Sequence, residues 1–326
     1  MQNKIDERQL CMQEWLTSLF PAKSLLVLPL AGDASFRRYF RATIDSQNFI
    51  VMDAPPEKEN CKSFIEIARA FERASVRFPT IISEEICDGF LLLTDFGDRS
   101  LLMALNTDSV DSLYQSAFDA LLHMQKHKMV LPNFNDALYW REFEIFDTWY
   151  VKKNLNKTLS HHDEQQLKKC YQLLIDSAHN QPPVFVHRDY HSRNIMVCDD
   201  GQLGILDFQD AVLGPITYDL VSLLRDCYVA WPVAQTEQWV HDFYQQTKLS
   251  VGFETFLRWF DLMGLQRHLK CLGIFSRLYF RDGKMSYLKE IPRVLSYVMH
   301  VCDRYPEFAP LKSILMHQPS ETGSRT

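Results

Sequence analysis

The chain predicts an α+β fold of two lobes, a small β-rich N-terminal lobe followed by a larger, mainly helical one. Three patterns carry this. Short apolar runs separated by turn residues fill the first hundred residues. From Asp98 onward the apolar spacing is mostly helical. One short hairpin interrupts the helical part near residues 195–206. The change falls near residues 94–98, so the expected division is 1–97 and 98–317, with a polar, disordered tail at 318–326.

The elements follow in order. Ile5, Leu10, Trp15, Leu16 and Leu19 predict a helix over 4–19. Leu25–Leu28, Phe36–Thr43 and Phe49–Met52 read as strands. Asn60–Val76 reads as a helix, with Phe64, Ile67, Ala68 and Phe71 at helical spacing. Ile81-Ile82 and Phe90–Leu93 supply two more strands. Further on, Ile195–Cys198 and Gln202–Leu206 flank Asp200-Gly201, a signal for a two-residue type I′ turn. In that register paired residue numbers sum to 401, and Asn194 stands opposite Asp207.

The chemistry centres on His187-Arg188-Asp189-Tyr190-His191-Ser192-Arg193-Asn194, followed at short range by Asp207-Phe208-Gln209-Asp210. The first block fits H-R-D-x-x-x-x-N, the catalytic loop of the protein-kinase-like fold. There the aspartate accepts the proton of the attacking hydroxyl, while the asparagine and a later aspartate hold Mg²⁺ against the phosphates of ATP. Asp189 is therefore the candidate base, and Asn194 and Asp207 are the candidate metal ligands. His187 reads as a scaffold of the loop. Asp219, at the start of an apolar helix, reads as a carboxylate that accepts backbone N–H groups of the loop. Arg188 and Arg193 have two readings, phosphate or a loop carboxylate.

Composition narrows the class. The chain has 326 residues, 46% of them hydrophobic, enough for a large core. A net charge of −6 argues against a dedicated nucleic-acid binder. The eight cysteines are scattered without a C-x-x-C, and the N-terminus carries no signal-like segment. Reduced thiols in a cytoplasmic protein are expected. No apolar run is long enough to span a bilayer.

Asp95-Phe96-Gly97 spells a kinase metal motif but precedes the catalytic loop, the wrong order for that role. Its place after an apolar strand suits a hinge, where backbone groups from Leu93 through Asp95 to Phe96 would meet an adenine. The candidate phosphate loop is Ala31–Arg38, with Gly32 and Ser35 allowing close backbone approach and Arg37 and Arg38 adding charge. An ordinary Gly-Asp hairpin turn is the competing reading. Met52-Asp53 stand where a kinase-like third strand carries its nucleotide lysine. Either an arginine of the 37–41 segment substitutes, or Mg²⁺ alone carries the charge. Glu66 is where that lysine's partner would fall, or a solvated helix glutamate.

The catalytic block resembles the aminoglycoside phosphotransferase family of small-molecule kinases. Leu30–Phe40, Val51–Glu57, Leu91–Gly97, Phe208–Ala211, Tyr218–Tyr228, Gly264–Lys270 and Gly273–Gly283 resemble one branch of it, the N-acetylmuramate/N-acetylglucosamine anomeric kinases of cell-wall recycling. The branch also carries Met-Asp-Ala-Pro-Pro at the lysine position. The resemblance implies ATP-dependent phosphorylation of the C1 hydroxyl of an amino sugar to its α-1-phosphate. Asp210, Arg225 and Asp226 are then candidates for sugar hydroxyls, or surface salt bridges. Arg267, His268, Lys270, Arg277 and Arg281 form a basic helical set, for a substrate carboxylate or a solvated face. Trp140, Trp149 and Tyr150 would stack on a sugar or fill the core. Competing functions are a kinase of another small alcohol, such as choline or an aminoglycoside, and a nucleotide-binding module without catalysis.

Overall fold

The computed structural model describes residues 6–30, 36–72 and 74–316. The chain groups into two units, Met1–Ala104 with Asn194–Asp210, and Leu105–Arg193 with Ala211–Thr326. The hairpin that carries Asn194 and Asp207 thus groups with the N-terminal segment, although sequence order assigns it to the helical part.

The first unit opens with helix α1 (Glu7–Leu19), capped by Asp6, whose carboxylate accepts the Gln9 N–H at 2.8 Å. Strands β1 (Leu25–Pro29), β2 (Arg38–Ile44) and β3 (Gln47–Asp53) follow, then α2 (Lys62–Phe71), β4 (Ile81–Glu85), β5 (Phe90–Thr94) and the short α3 (Leu101–Ala104). The strands form one antiparallel sheet in the order β1-β2-β3-β5-β4. Side chains alternate across it. Phe40, Ala42 and Ile44 of β2, with Phe49, Val51, Phe90 and Leu92, pack against Met12 and Leu16 of α1. Met52, Leu91 and Leu93 are buried as well, so β3 and β5 are covered on both faces and read as unbroken apolar runs. Helix α2 stops at Phe71, five residues before its expected end at Val76. The chain leaves the helix because Arg77 is needed elsewhere: its carbonyl accepts the Ile205 N–H at 2.9 Å.

In the second unit come α4 (Val110–Lys126), α5 (Asp136–Ile145), a π-helical continuation (Phe146–Asn154), α6 (His161–His179) and β6 (Pro183–Val186). The hairpin strands β7 (Ile195–Val197) and β8 (Leu203–Ile205) belong to the first unit. The second resumes with β9 (Val212–Pro215), which pairs with β6, then α7 (Tyr218–Leu224), α8 (Val233–Thr247), α9 (Phe253–Asp282), α10 (Ile291–Arg304) and α11 (Ala309–Met316). Helix α9 is the axis of this unit and is buried along most of its length. A Cβ on its Gly273 would lie 2.7 Å from the backbone of Ile145 and Phe146, so only glycine allows this crossing. The crossing falls where α5 widens into the π-helix, a local distortion that is rare in helices. Among the described residues, no helix is long and apolar enough to cross a membrane.

The hairpin departs from the expected register. Ile195 pairs with Ile205 and Val197 with Leu203, so paired numbers sum to 400 and not 401. Gly201 has φ +79°, while Asp200 is not left-handed, which excludes type I′. The loop has three residues: the Cys198 N–H donates to Gln202 O and the Gly201 N–H to Cys198 O, both at 2.9 Å. This is the type I turn with a glycine bulge. The two positive φ values of a type I′ turn occur at Asp45-Ser46 between β2 and β3, where no glycine advertises them.

Candidate active site

Strand β6 delivers the catalytic loop, and buried carboxylates hold its backbone. Asp219, in the first turn of α7, accepts the N–H groups of His187 at 2.6 Å and Arg188 at 3.0 Å, as its sequence position suggested. Asp226 accepts Ser192 N–H and Tyr228 N–H, each at 2.8 Å. The Asp189 N–H meets His187 Nδ1 at 3.3 Å, which makes the buried imidazole a scaffold. Arg188 sits at φ +76°, a left-handed conformation. That costs about 1–2 kcal/mol in a non-glycine residue. Hydrogen bonds to charged acceptors, about 1.5–3 kcal/mol each, offset it. Burial pushes the Asp219 carboxyl up to about 7, against the pull of its two N–H donors.

The surroundings of Asp189 are strongly cationic. Burial alone would raise its carboxyl, but Lys270 foremost, then His191, Arg267 and Arg188, hold it down at about 2. Two of these cations, Arg188 and Lys270, are held by Glu142 of α5, itself buried. It accepts Arg188 at 2.9 Å, Lys270 at 3.2 Å and the Gln266 amide at 2.8 Å. Lys270 also reaches the Tyr218 hydroxyl at 3.2 Å. Arg267 lies against the sulfurs of Cys227 and Cys271 at 3.8 and 3.7 Å. The basic set on α9 therefore divides: Arg267, His268 and Lys270 are buried, while Arg281 is exposed and pairs with Asp282. Burial and the neighbouring Arg267 hold the His268 imidazole down at about 3, hence neutral. Sequence reading missed Glu142 altogether. The available signal was charge inside the most apolar stretch of a long helix, which demands buried counter-charge.

In the first unit, Asn194 Nδ2 lies 3.5 Å from Asp207 Oδ2. The one-residue register change would put these side chains on opposite faces. It does not, because Leu206 is the residue paired opposite Asn194, its N–H donating to Asn194 O at 2.8 Å, and Asp207 then turns left-handed at φ +63°. That turn brings its carboxylate back to Asn194. Gln209 donates to Asp207 Oδ1 at 2.7 Å and fixes the carboxylate further. Among the described residues no three His, Cys, Asp or Glu side chains gather as a metal site. The Asn194 amide here presents its nitrogen to the carboxylate; turned over, its oxygen beside Asp207 would suit Mg²⁺, which takes few protein ligands and fills its shell with phosphate and water oxygens.

The nucleotide-side candidates are placed as follows. Gly32 and Ser35 lie outside the described residues. Arg38 is bound between Asp53, at 2.5 Å, and Asp6. Asp53 is fully buried and also receives Arg8 at 2.6 Å, so it is neutralised within the protein and does not face phosphate. Arg37 pairs with Glu59 at 3.0 Å. Leu93 stands in β5 between Ile50 of β3 and Ile81 of β4. Its backbone is committed to the sheet, which the chain leaves after Thr94. Asp95 comes next. Its carboxylate accepts Arg41 at 2.6 Å and the Gly97 N–H at 2.8 Å.

The sugar candidates divide. Asp210 is exposed at the end of the hairpin segment. Arg225 is 4% and Asp226 1% exposed. Arg225 pairs with Asp261 at 2.5 Å and lies over the Phe260 ring, while Asp226 braces the loop. These two are thus neither surface salt bridges nor solvent-facing. Tyr150 is core, and Trp140 is 37% exposed.

The model of the phosphotransferase enzyme family matches residues 27–255. The chain is 42% identical to an N-acetylmuramate/N-acetylglucosamine kinase of Pseudomonas putida, covering 96% of both proteins. It is 37% identical to a kinase of the same name from Neisseria meningitidis serogroup B, covering 95% of this chain and 96% of that one. Among solved structures, choline kinase LicA of Streptococcus pneumoniae aligns with 90% of this chain and all of its own, at TM-score 0.66 and 12% identity. That likeness establishes the protein-kinase-like fold.

Proposed function

From a chain that belongs to the phosphotransferase enzyme family, we propose an ATP-dependent sugar kinase that phosphorylates the C1 hydroxyl of N-acetylmuramate, N-acetylglucosamine or both. The observation that carries the acceptor is the near full-length likeness to kinases named for those two sugars. The product is the α-1-phosphate, suited to UDP-sugar synthesis in cell-wall recycling within the cytoplasm. Support for phosphoryl transfer comes from the loop: its backbone is fixed by Asp219 and Asp226, and Asp189 is held as an anion.

In this reading Asp189 accepts a hydrogen bond from the C1 hydroxyl and orients it for attack. Its low proton affinity suits the reaction, because the proton need only be taken late, once the new O–P bond is forming. Asn194 and Asp207 would hold Mg²⁺, which, when bound, screens the negative charge of the β- and γ-phosphates. The backbone after Thr94 would receive the adenine, and Asp210 is left as the accessible sugar candidate of the three.

The test is ³¹P NMR of the protein with Mg-ATP and each sugar in turn, beside Asp189→Asn. A sugar 1-phosphate resonance that vanishes in the variant is expected. ATP left intact with both sugars, while choline or an aminoglycoside is phosphorylated, would overturn the acceptor.

A further inference from the structure

The sheet of the first unit separates the two arginines that precede and open β2. Arg38 lies directly opposite Asp53 in the β2–β3 register. With Phe40, Ala42 and Ile44, it is on the face that packs against α1. There Arg8 and Arg38 meet Asp53 and Asp6, two positive charges against two negative, and no charge is left over. Tyr39 is on the other face by alternation. Burial raises its hydroxyl to about 12, and the charges of Arg37, Asp207 and Glu59 all act on it. Arg37 and Glu59 therefore share the neighbourhood of the candidate metal carboxylate, and Arg38 does not.

The Arg37–Glu59 pair is itself mostly sheltered, with side chains 12% and 17% exposed. Glu59 shortly precedes α2, and α2 is tied to the metal motif: the Phe64 ring lies 4.6 Å from that of Phe208. Glu66, the glutamate at the spacing expected for a lysine partner, is 60% exposed and, among the described residues, pairs with the still more solvated Lys62 at 3.8 Å. A protein kinase at this place has a lysine from the third strand held by a glutamate of the next helix.

Resting on the phosphotransfer reading above, we infer that Arg37, held by Glu59, replaces the absent lysine and receives the α- and β-phosphate oxygens of the nucleoside triphosphate. The cation comes from the residue that precedes β2 and its carboxylate from the segment that precedes α2. A guanidinium suits this, since its planar donors bind a carboxylate and phosphate oxygens at once.

The test is calorimetric titration of Mg-ADP into wild type, Arg37→Ala, Arg37→Lys, Glu59→Gln and the control Glu66→Gln, with KM and kcat measured on the same preparations. Arg37→Ala is expected to weaken ADP and raise the KM for ATP at least tenfold, leaving the KM for sugar within twofold. Arg37→Lys should recover part of the loss, and Glu59→Gln should lower kcat more than it raises KM. Glu66→Gln should match wild type. A folded Arg37→Ala that binds ADP within twofold of wild type overturns the inference. Should Arg37→Ala not fold, unchanged ADP affinity in both Arg37→Lys and Glu59→Gln overturns it equally. Wild type that binds ADP but phosphorylates no sugar would sink the acceptor alone; wild type that binds no ADP sinks both.

Discussion

Asp189 illustrates how far a single residue depends on charges distant in sequence. Its carboxylate sits at about 2 only because Lys270, His191, Arg267 and Arg188 outweigh its burial. The sign follows: the folded value lies below the ordinary 3.8, so its contribution to stability is present above pH 3.8 and fades as pH falls through about 2. At working pH the residue is an anion throughout. In Lys270→Met the leading cation is gone, and the acid limb of kcat should move up by about 1 pH unit or more. Lys270→Arg should return it. A Lys270→Met profile superimposable on wild type would exclude this role. The same variant leaves Glu142 short of a partner, and breaking a buried pair costs about 3–5 kcal/mol, so melting curves must accompany the rate data. Asp189, Asn194 and Asp207 stand out in the sequence as candidates because their spacing is local. Lys270 and Glu142 do not, because they lie 128 positions apart in sequence and only packing joins them.

Among elements, the hairpin and α9 carry the clearest contrasts. Asp200-Gly201 correctly marks a hairpin, but local preference left two turn types open. The three-residue loop prevails with Gly201 alone left-handed, and the left-handed Asp207 then restores what the register change would have undone. Helix α9 was legible as a helix but not as a buried one, since its basic residues mimic a solvated face. Its contact with the α5–π-helix junction depends on Gly273, where any Cβ would strike main chain at 2.7 Å. Backbone does not rotate aside as a side chain does. Gly273→Ala should therefore destabilise by about 1–3 kcal/mol despite alanine's better helix propensity. Urea unfolding would register it as a lower midpoint at constant slope; a gain in stability would contradict the close crossing.

For the whole molecule, the notable fact is that the first unit is discontinuous. Residues 194–210 return to it after an excursion of nearly ninety residues and complete its packing. Phe208 lies 4.6 Å from Phe64 and 4.5 Å from Phe78, the Arg77 carbonyl takes the Ile205 N–H, and the Arg99 carbonyl takes the Val197 N–H at 2.8 Å. A fragment of residues 1–104 lacks all of these and should show no cooperative thermal transition by circular dichroism. Adding residues 194–210 through a flexible linker should restore one. A fragment that melts cooperatively unaided would refute the dependence.

The sequence by itself determined the class of fold, most strand and helix positions, the loop from His187 to Asn194 and the absence of a third-strand lysine. Each is a pattern of neighbouring residues, set by period, turn chemistry or fixed motif spacing. Tertiary structure alone decided that Asp53 is clamped by Arg8 and Arg38, that Arg225 and Asp226 are buried, and that Glu142 gathers Arg188 and Lys270. The physical reason is common to all three. Whether a charged residue faces solvent, substrate or another charge depends on desolvation, and desolvation is set by segments far away in the chain.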